Sequence, residues 1–331
     1  MVTLLSLLAA AQIDTERLPK LLAEAHFNPP PAFKALVVEL APDGASRFTT
    51  RIYSWRDTWR DRSDWWPAST VKLFAAVVAL EEVGLLGFSP EARVTFQYDT
   101  GPVVTSVRDL VEAAIIPSDN TAFDRLVELV GSDRLRARLH GAGFRATVLL
   151  RAYGGRVRYP GGLGDPRHSP RIEISEGPRA VTIPARTGRR YKDCPNDGNC
   201  TTLLDLAEAM GRVMLHETIP QSKRFALSPE ALSLLRRSLG ARRGRGENVC
   251  DGLREAFRDE AGNPRPLKLF HKPGFAYDWF SDVVFVEPGD SPKRWIVAMA
   301  GRPGRSCLDE AARAIGILLA RDVLARDCHG P

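Results

Sequence analysis

No apolar run in this 331-residue chain approaches the roughly 20 residues that a bilayer-crossing helix needs. The chain has no Cys-x-x-Cys, and its six histidines are scattered, so neither a metal nor another cofactor is expected. It has no Gly-x-Ser-x-Gly elbow, and no histidine stands out as the base of a Ser-His-Asp hydrolase. It has no internal repeat, no flexible linker and no basic stretch interleaved with aromatics, which argues against a nucleic-acid partner. What remains is ordinary globular composition, 44% hydrophobic and 26% charged. That is enough to bury a large core in one domain or two closely packed ones.

Val2 to Ala11 is almost wholly apolar and ends in Ala9-Ala10-Ala11. It lacks a positive n-region, and two readings stay open: a leader segment over 1–11, or an amphipathic helix that starts early. Cys194 and Cys200 bracket the turn-rich Pro195-Asn196-Asp197-Gly198-Asn199, whose ends can meet in a disulfide. Two free thiols are the alternative. Cys250, Cys307 and Cys328 leave an odd count with no deducible pairing. A leader and a disulfide together imply a periplasmic or secreted protein. Net charge is localised. Residues 145–200 carry 11 Lys and Arg against 5 Asp and Glu, with 8 Gly and 6 Pro, while charges outside this stretch balance. The stretch reads as a basic, loop-rich insertion, either a solvated excursion or a contact for acidic polymers or membrane surfaces.

Hydrophobic periodicity places helices over Asp14–Ala25, Val107–Ile116, Thr121–Val130, Asp133–His140, Thr201–Leu215, Ser228–Ser238 and Cys307–Ala325. Strands are expected at Phe33–Leu40, Arg47–Trp55, Asp282–Val286 and Trp295–Met299. Ser69 to Val83 reads as a helix apolar on nearly every side, which belongs inside a large protein. Strands at both ends with helices between them define an α+β fold: an antiparallel sheet from both termini, flanked by helices, plus an inserted helical lobe. The α/β lobe would cover about 12–68 and 265–331, and the helical lobe about 69–264, within a single domain over 12–331.

Lys72 lies one turn beyond Ser69, so both project from one helix face. Burial disfavours the charged form of a lysine, and a lysine shifted toward neutrality can take a proton from a serine hydroxyl. A serine at a helix N-terminus also meets orphan N–H donors that can stabilise an oxyanion. The bland alternative is an N-cap serine with a lysine that snorkels outward. Ser118-Asp119-Asn120 could cap the following helix, or relay a proton to a leaving nitrogen and hold a substrate amide or Lys72. His271-Lys272-Pro273-Gly274, just before the terminal strand pair, offers a cation and close backbone approach at Gly274.

In that order, Ser-x-x-Lys, Ser-Asp-Asn and Lys-x-Gly form the element set of class A β-lactamases and penicillin-binding proteins. The chain resembles that family over nearly its whole length, from Ala68-Ser69-Thr70-Val71-Lys72 through Ser118-Asp119-Asn120-Thr121-Ala122 to Lys272, Pro288-Gly289-Asp290 and the last helix. The resemblance implies a serine hydrolase in which Ser69 is acylated, Lys72 is its base or proton shuttle, and Ser118 protonates the leaving nitrogen. It implies that Asn120 and Lys272 order substrate and field, Gly274 admits the substrate, and the backbone amides of Ser69 and Phe275 form the oxyanion hole. The substrate would be a β-lactam or a peptidoglycan-like amide, taken by a monomer. The alternatives are a D,D-peptidase, transpeptidase or esterase using the same serine, and a non-catalytic binding relative.

Two departures stand out. Pro273 replaces the family's central Thr or Ser and lacks its hydroxyl. Aligning Thr147 to Tyr153 with the family's deacylation loop puts Tyr153 where a glutamate is expected. The nearest downstream acids are Asp165, Glu173 and Glu176. The expected outcome is complete acylation machinery with slow hydrolysis of the acyl-enzyme.

Overall fold

The two ends of the chain carry its most strand-like sequence, and in the computed structural model they pair with each other. Residues 8, 11–44, 48–61, 64–154, 167–189, 191, 193–194, 198–242, 249–259, 261–302 and 305–321 are described. Most of the leader segment, Asp165 and Cys328 lie outside them.

The chain runs through β1 (Gln12–Asp14), α1 (Arg17–Glu24), β2 (Lys34–Pro42), β3 (Phe48–Ser54), a 3₁₀ turn at Ala68–Val71 and α2 (Lys72–Leu85). Next come β4 (Arg93–Tyr98), β5 (Gly101–Ser106), α3 (Val107–Ile115), α4 (Asn120–Val130), α5 (Ser132–Gly141), β6 (His168–Ser169), β7 (Arg171–Glu176), β8 (Arg179–Ile183) and β9 (Arg186–Thr187). Then follow α6 (Leu203–Met214), α7 (Pro229–Gly240), α8 (Val249–Ala256), β10 (Leu267–Ala276), β11 (Trp279–Pro288), β12 (Arg294–Gly301) and α9 (Arg305–Ala320). These elements fall into two compact units. One is drawn from Val71–Thr201 and Pro220–Ala241, the other from Ser6–Thr70, Thr202–Ile219 and Arg242–Pro331.

The second unit is built on a six-stranded sheet in the order β1-β3-β2-β12-β11-β10. β2 meets β12 antiparallel with Val37 opposite Val297, which joins the two ends of the chain. The short β1 departs from the expected antiparallel pattern and pairs parallel with β3. β12 is buried along almost its whole length, as a continuous apolar run with both faces covered must be. The Lys-Pro-Gly triplet lies just ahead of the terminal pair β11–β12, as expected, within a strand of its own, β10. Proline is tolerated there because β10 is an edge strand.

Helices α8 and α9 cover one face together with Val37, Val284, Val286, Val297 and Met299. They cross closely at two glycines. A Cβ on Gly252 would stand 2.7 Å from the Asp309 carbonyl, and one on Gly316 2.6 Å from the Ala256 Cβ.

The first unit is arranged around α2, in which 12 of 14 residues are buried, with α3, α4, α5 and α7 packed on it. It also holds a sheet where helices alone were expected, in the antiparallel order β5-β4-β7-β8. The stretch 145–200 is therefore not simply loop. Ile172 and Ile174 alternate into the core between Arg171 and Glu173, and Gly177 turns the chain back at φ 58°. Arg186 donates to the carbonyls of Glu128, Leu129 and Val130 and so completes the C-terminus of α4.

The α8–α9 crossing leaves no room for a side chain at Gly252. Gly252→Ala should cost about 1–3 kcal/mol through overpacking. Urea unfolding should show it as a lower midpoint with an unchanged slope.

Candidate active site

The chain enters Ser69 through a strained residue. Ala68 has φ 48°, a left-handed conformation that costs a non-glycine residue about 1–2 kcal/mol. The carbonyl of Pro67 holds this bend. It accepts from the Thr70 amide at 3.2 Å and the Thr70 hydroxyl at 2.7 Å. It also accepts from the Ser281 hydroxyl on β11 at 3.0 Å. Gly274 lies opposite Ser281 in the ladder. A Cβ there would stand 2.6 Å from the Pro67 oxygen and 2.8 Å from the Ser69 nitrogen, so only glycine lets the edge strand approach the serine segment this closely. Just beyond, Tyr277 and Asp278 both have positive φ and make a two-residue turn into β11. Phe275 and Tyr277 are exposed, and Tyr277 meets Trp66 edge-on with ring centroids 5.2 Å apart. Lys272 is fully buried on β10, and its ammonium donates to the Pro273 carbonyl at 3.4 Å.

Lys72 opens α2 directly after the serine turn and is fully buried. Its ammonium donates to the carbonyl of Ser118 at 2.5 Å, to the Ser118 hydroxyl at 3.3 Å and to Asn120 Oδ1 at 2.7 Å. Ser118 has φ 62°, which turns both its carbonyl and its hydroxyl toward the lysine. Asp119 does what its residue type favours and caps α4, accepting from the Ala122 amide at 2.6 Å. The bland reading thus holds for one residue of the Ser-Asp-Asn triplet, while its two neighbours bind the lysine.

Tyr153 completes the surroundings of Lys72. The ammonium lies 5.9 Å from the Tyr153 ring centroid and 6.0 Å from that of Phe123, and the two rings stack 4.9 Å apart. The segment carrying Tyr153 is fixed along its length. Val148 and Cys200 exchange backbone hydrogen bonds of 2.9 and 3.0 Å. Asn199 Oδ1 accepts from the amides of Leu150 and Arg151 at 2.7 and 2.8 Å, and its Nδ2 donates to the Arg151 carbonyl. The buried carboxylate of Asp124 then accepts from the amides of Tyr153 and Gly154 at 2.7 and 2.6 Å. Cys194 and Cys200 form the disulfide, with Cα atoms 5.7 Å apart, and pack on Val148.

Two of the acids downstream of Tyr153, Glu173 and Glu176, have partners of their own on β7. Glu173 lies within β7, paired opposite Thr95 and Thr182. Glu176 ends β7, where it accepts from the hydroxyl and amide of Ser89 and pairs with Arg179 at 3.0 Å. The Ser89 hydroxyl holds its carboxyl below the usual carboxylate range. Neither residue is on the segment that carries Tyr153. His271 faces Asp282, and together with Cys250 these are the described residues able to hold a metal.

Sequence reasoning missed Asp124 and Asn199. Asp124 had a signal, since it stands one turn after Asn120 on the same face of α4. Asn199 had none, because loop asparagines are common.

The comparisons with known proteins bear on the fold and the family. No curated protein matches the chain. Among solved structures, a β-lactamase from Xanthomonas campestris pv. campestris superposes with a TM-score of 0.59 at 17% identity, covering 93% of this chain and 98% of that one. The penicillin-binding protein PBP-A superposes with a TM-score of 0.59 at 16% identity, covering 94% and 98%. The reconstructed class A β-lactamase of the last common ancestor of Gram-negative bacteria gives 0.56 at 19% identity, covering 91% and 97%. At such identities the likeness is one of fold. The sequence profile of the beta-lactamase enzyme family matches residues 58–325, and the chain belongs to that family.

Proposed function

We propose that this serine hydrolase forms an acyl-enzyme on Ser69 with a β-lactam or related amide and releases it slowly. The observation that carries the reading is the state of Lys72. It is a fully buried ammonium three residues from Ser69, held by Ser118 and Asn120. A buried cation fixed in this way is costly to maintain, and the chemistry it serves is proton transfer. In the proposed cycle Lys72 first gives up a proton, as burial favours, and its neutral amine then takes the Ser69 proton as Oγ attacks the carbonyl. Backbone amides of Ser69 and Phe275 receive the oxyanion, and Ser118 protonates the departing nitrogen.

Release of the acyl group needs a base that activates water. Tyr153 stands beside Lys72 where the resemblance expects glutamate. Phenols are protonated at neutral pH and do not serve as such a base. The acyl-enzyme should therefore persist, as penicillin-binding proteins' adducts do. A PBP-A mutant has been captured as an acyl-enzyme with penicillin G, and its fold superposes on this chain with a TM-score of 0.57 at 17% identity. Pro273, lacking a hydroxyl, supports a substrate whose carboxylate is not read at that point. A D,D-peptidase or transpeptidase acting through the same serine is the second reading, favoured by the same missing base. The Cys194–Cys200 disulfide supports an oxidising, extracytoplasmic workplace.

Penicillin G should add one acyl group to the wild-type protein, seen by intact mass, with turnover of a chromogenic cephalosporin slow. Ser69→Ala should abolish the adduct, and an adduct that survives this change would show another nucleophile. Lys72→Ala should slow acylation by about 10²–10⁴-fold, the usual worth of a positioned base. Tyr153→Glu should speed loss of the adduct on the order of 10²-fold, while Tyr153→Phe should leave it unchanged. Equal adduct lifetimes in the wild type and Tyr153→Glu would refute the account of slow release.

A further inference from the structure

We propose that Cys250, His271 and Asp282 form a zinc site that ties α8 to β10 and β11. Among the described residues these three bring ligating atoms, one from each, within 4.8 Å of one another. All three are 2% exposed or less. Successive strand residues face opposite sides of a sheet, so His271 lies on the face away from Lys272 and Gly274. That face packs against α8, which carries Cys250. The site is thus separate from the groups assigned to acylation.

A second observation points to a ligand. His271 Nδ1 and Asp282 Oδ2 are 3.0 Å apart, which fixes the ring against the carboxylate. The remaining polar atoms, His271 Nε2 and Asp282 Oδ1, are buried and have no hydrogen-bond partner. Buried polar atoms are rarely left so, and an absent ion is one of the recognised reasons. With Nδ1 donating to Oδ2, both orphaned atoms bear lone pairs, and a cation beside the buried thiol is a partner for such an atom.

The donor set selects the ion. Thiolate, imidazole and carboxylate together suit zinc, whose tetrahedral sites accept all three. Zinc would take the Cys250 sulfur as thiolate, one imidazole nitrogen and one carboxylate oxygen, leaving a fourth position for water. The charges balance, because one thiolate and one carboxylate cancel a divalent cation. Neutrality matters in a desolvated core, where a net charge is costly. Binding releases the thiol proton to solvent, so affinity falls as pH falls. Because the cluster is closed to solvent, the ion would enter as the chain folds.

The test is made on the full, tag-free chain with its disulfide intact. It is unfolded, refolded with Zn²⁺ or Co²⁺ and freed of excess metal. The wild type should retain about one equivalent of zinc. The cobalt form should show a thiolate-to-metal charge-transfer band in the near ultraviolet, and the melting temperature should exceed that of protein refolded with chelator. Cys250→Ala and His271→Ala should each lose the metal and the band, while Cys307→Ser, altering the half-buried thiol on α9, should keep both. Wild-type protein with native circular dichroism that retains no metal and shows no band would overturn the proposal. So would undiminished retention by Cys250→Ala. None of these readings depends on Ser69 acylation.

Discussion

The buried ammonium of Lys72 is the constraint around which one half of this molecule is organised. An unpaired cation in an apolar helix would unfold that helix or lose its charge. Here two residues 46 and 48 positions further along the chain supply oxygen atoms, and two aromatic rings supply their negative faces. Ser118 accepts a left-handed backbone to do this, and Asn120 turns its side-chain oxygen to the lysine from an exposed position at the start of α4. Local rules of conformation are set aside at these residues because the lysine leaves no alternative.

The serine segment obeys a different constraint, steric rather than electrostatic. Ala68 is strained, and the Pro67 carbonyl gathers three donors that keep it so. The edge strand approaches only because position 274 carries no side chain. Strain held by close packing gives a geometry that does not relax between turnovers, which is what an oxyanion site requires.

Much of this was legible in the sequence, for identifiable reasons. The apolar helix after Ser69 and the amphipathic helices around it have strong periodicity, and their structural bounds fall within a few residues of expectation. The motif residues were legible because three short patterns in a fixed order carry more information than any one of them. The hairpin β7–β8 was hidden by the density of Gly and Pro around it, although Arg171-Ile172-Glu173-Ile174 alternates as a strand should. The place of the Lys-Pro-Gly triplet beside the terminal strands was legible, but the bounds of β10 were not, because its proline is admissible only at a sheet edge and edges are a property of topology. Asn199 was invisible because its role comes from partners 48 and 49 residues away. The buried histidine cluster was invisible for the same reason, its members coming from a helix and two strands.

One feature reaches further than its size implies. The disulfide loop, the amide clasp of Asn199 and the carboxylate of Asp124 form an unbroken line from two sulfur atoms to the ring that borders Lys72. The disulfide thus closes its loop at one end of the same stretch of contacts that ends at that ring. The same polypeptide kept reduced would have a looser border to its ammonium and a wetter one.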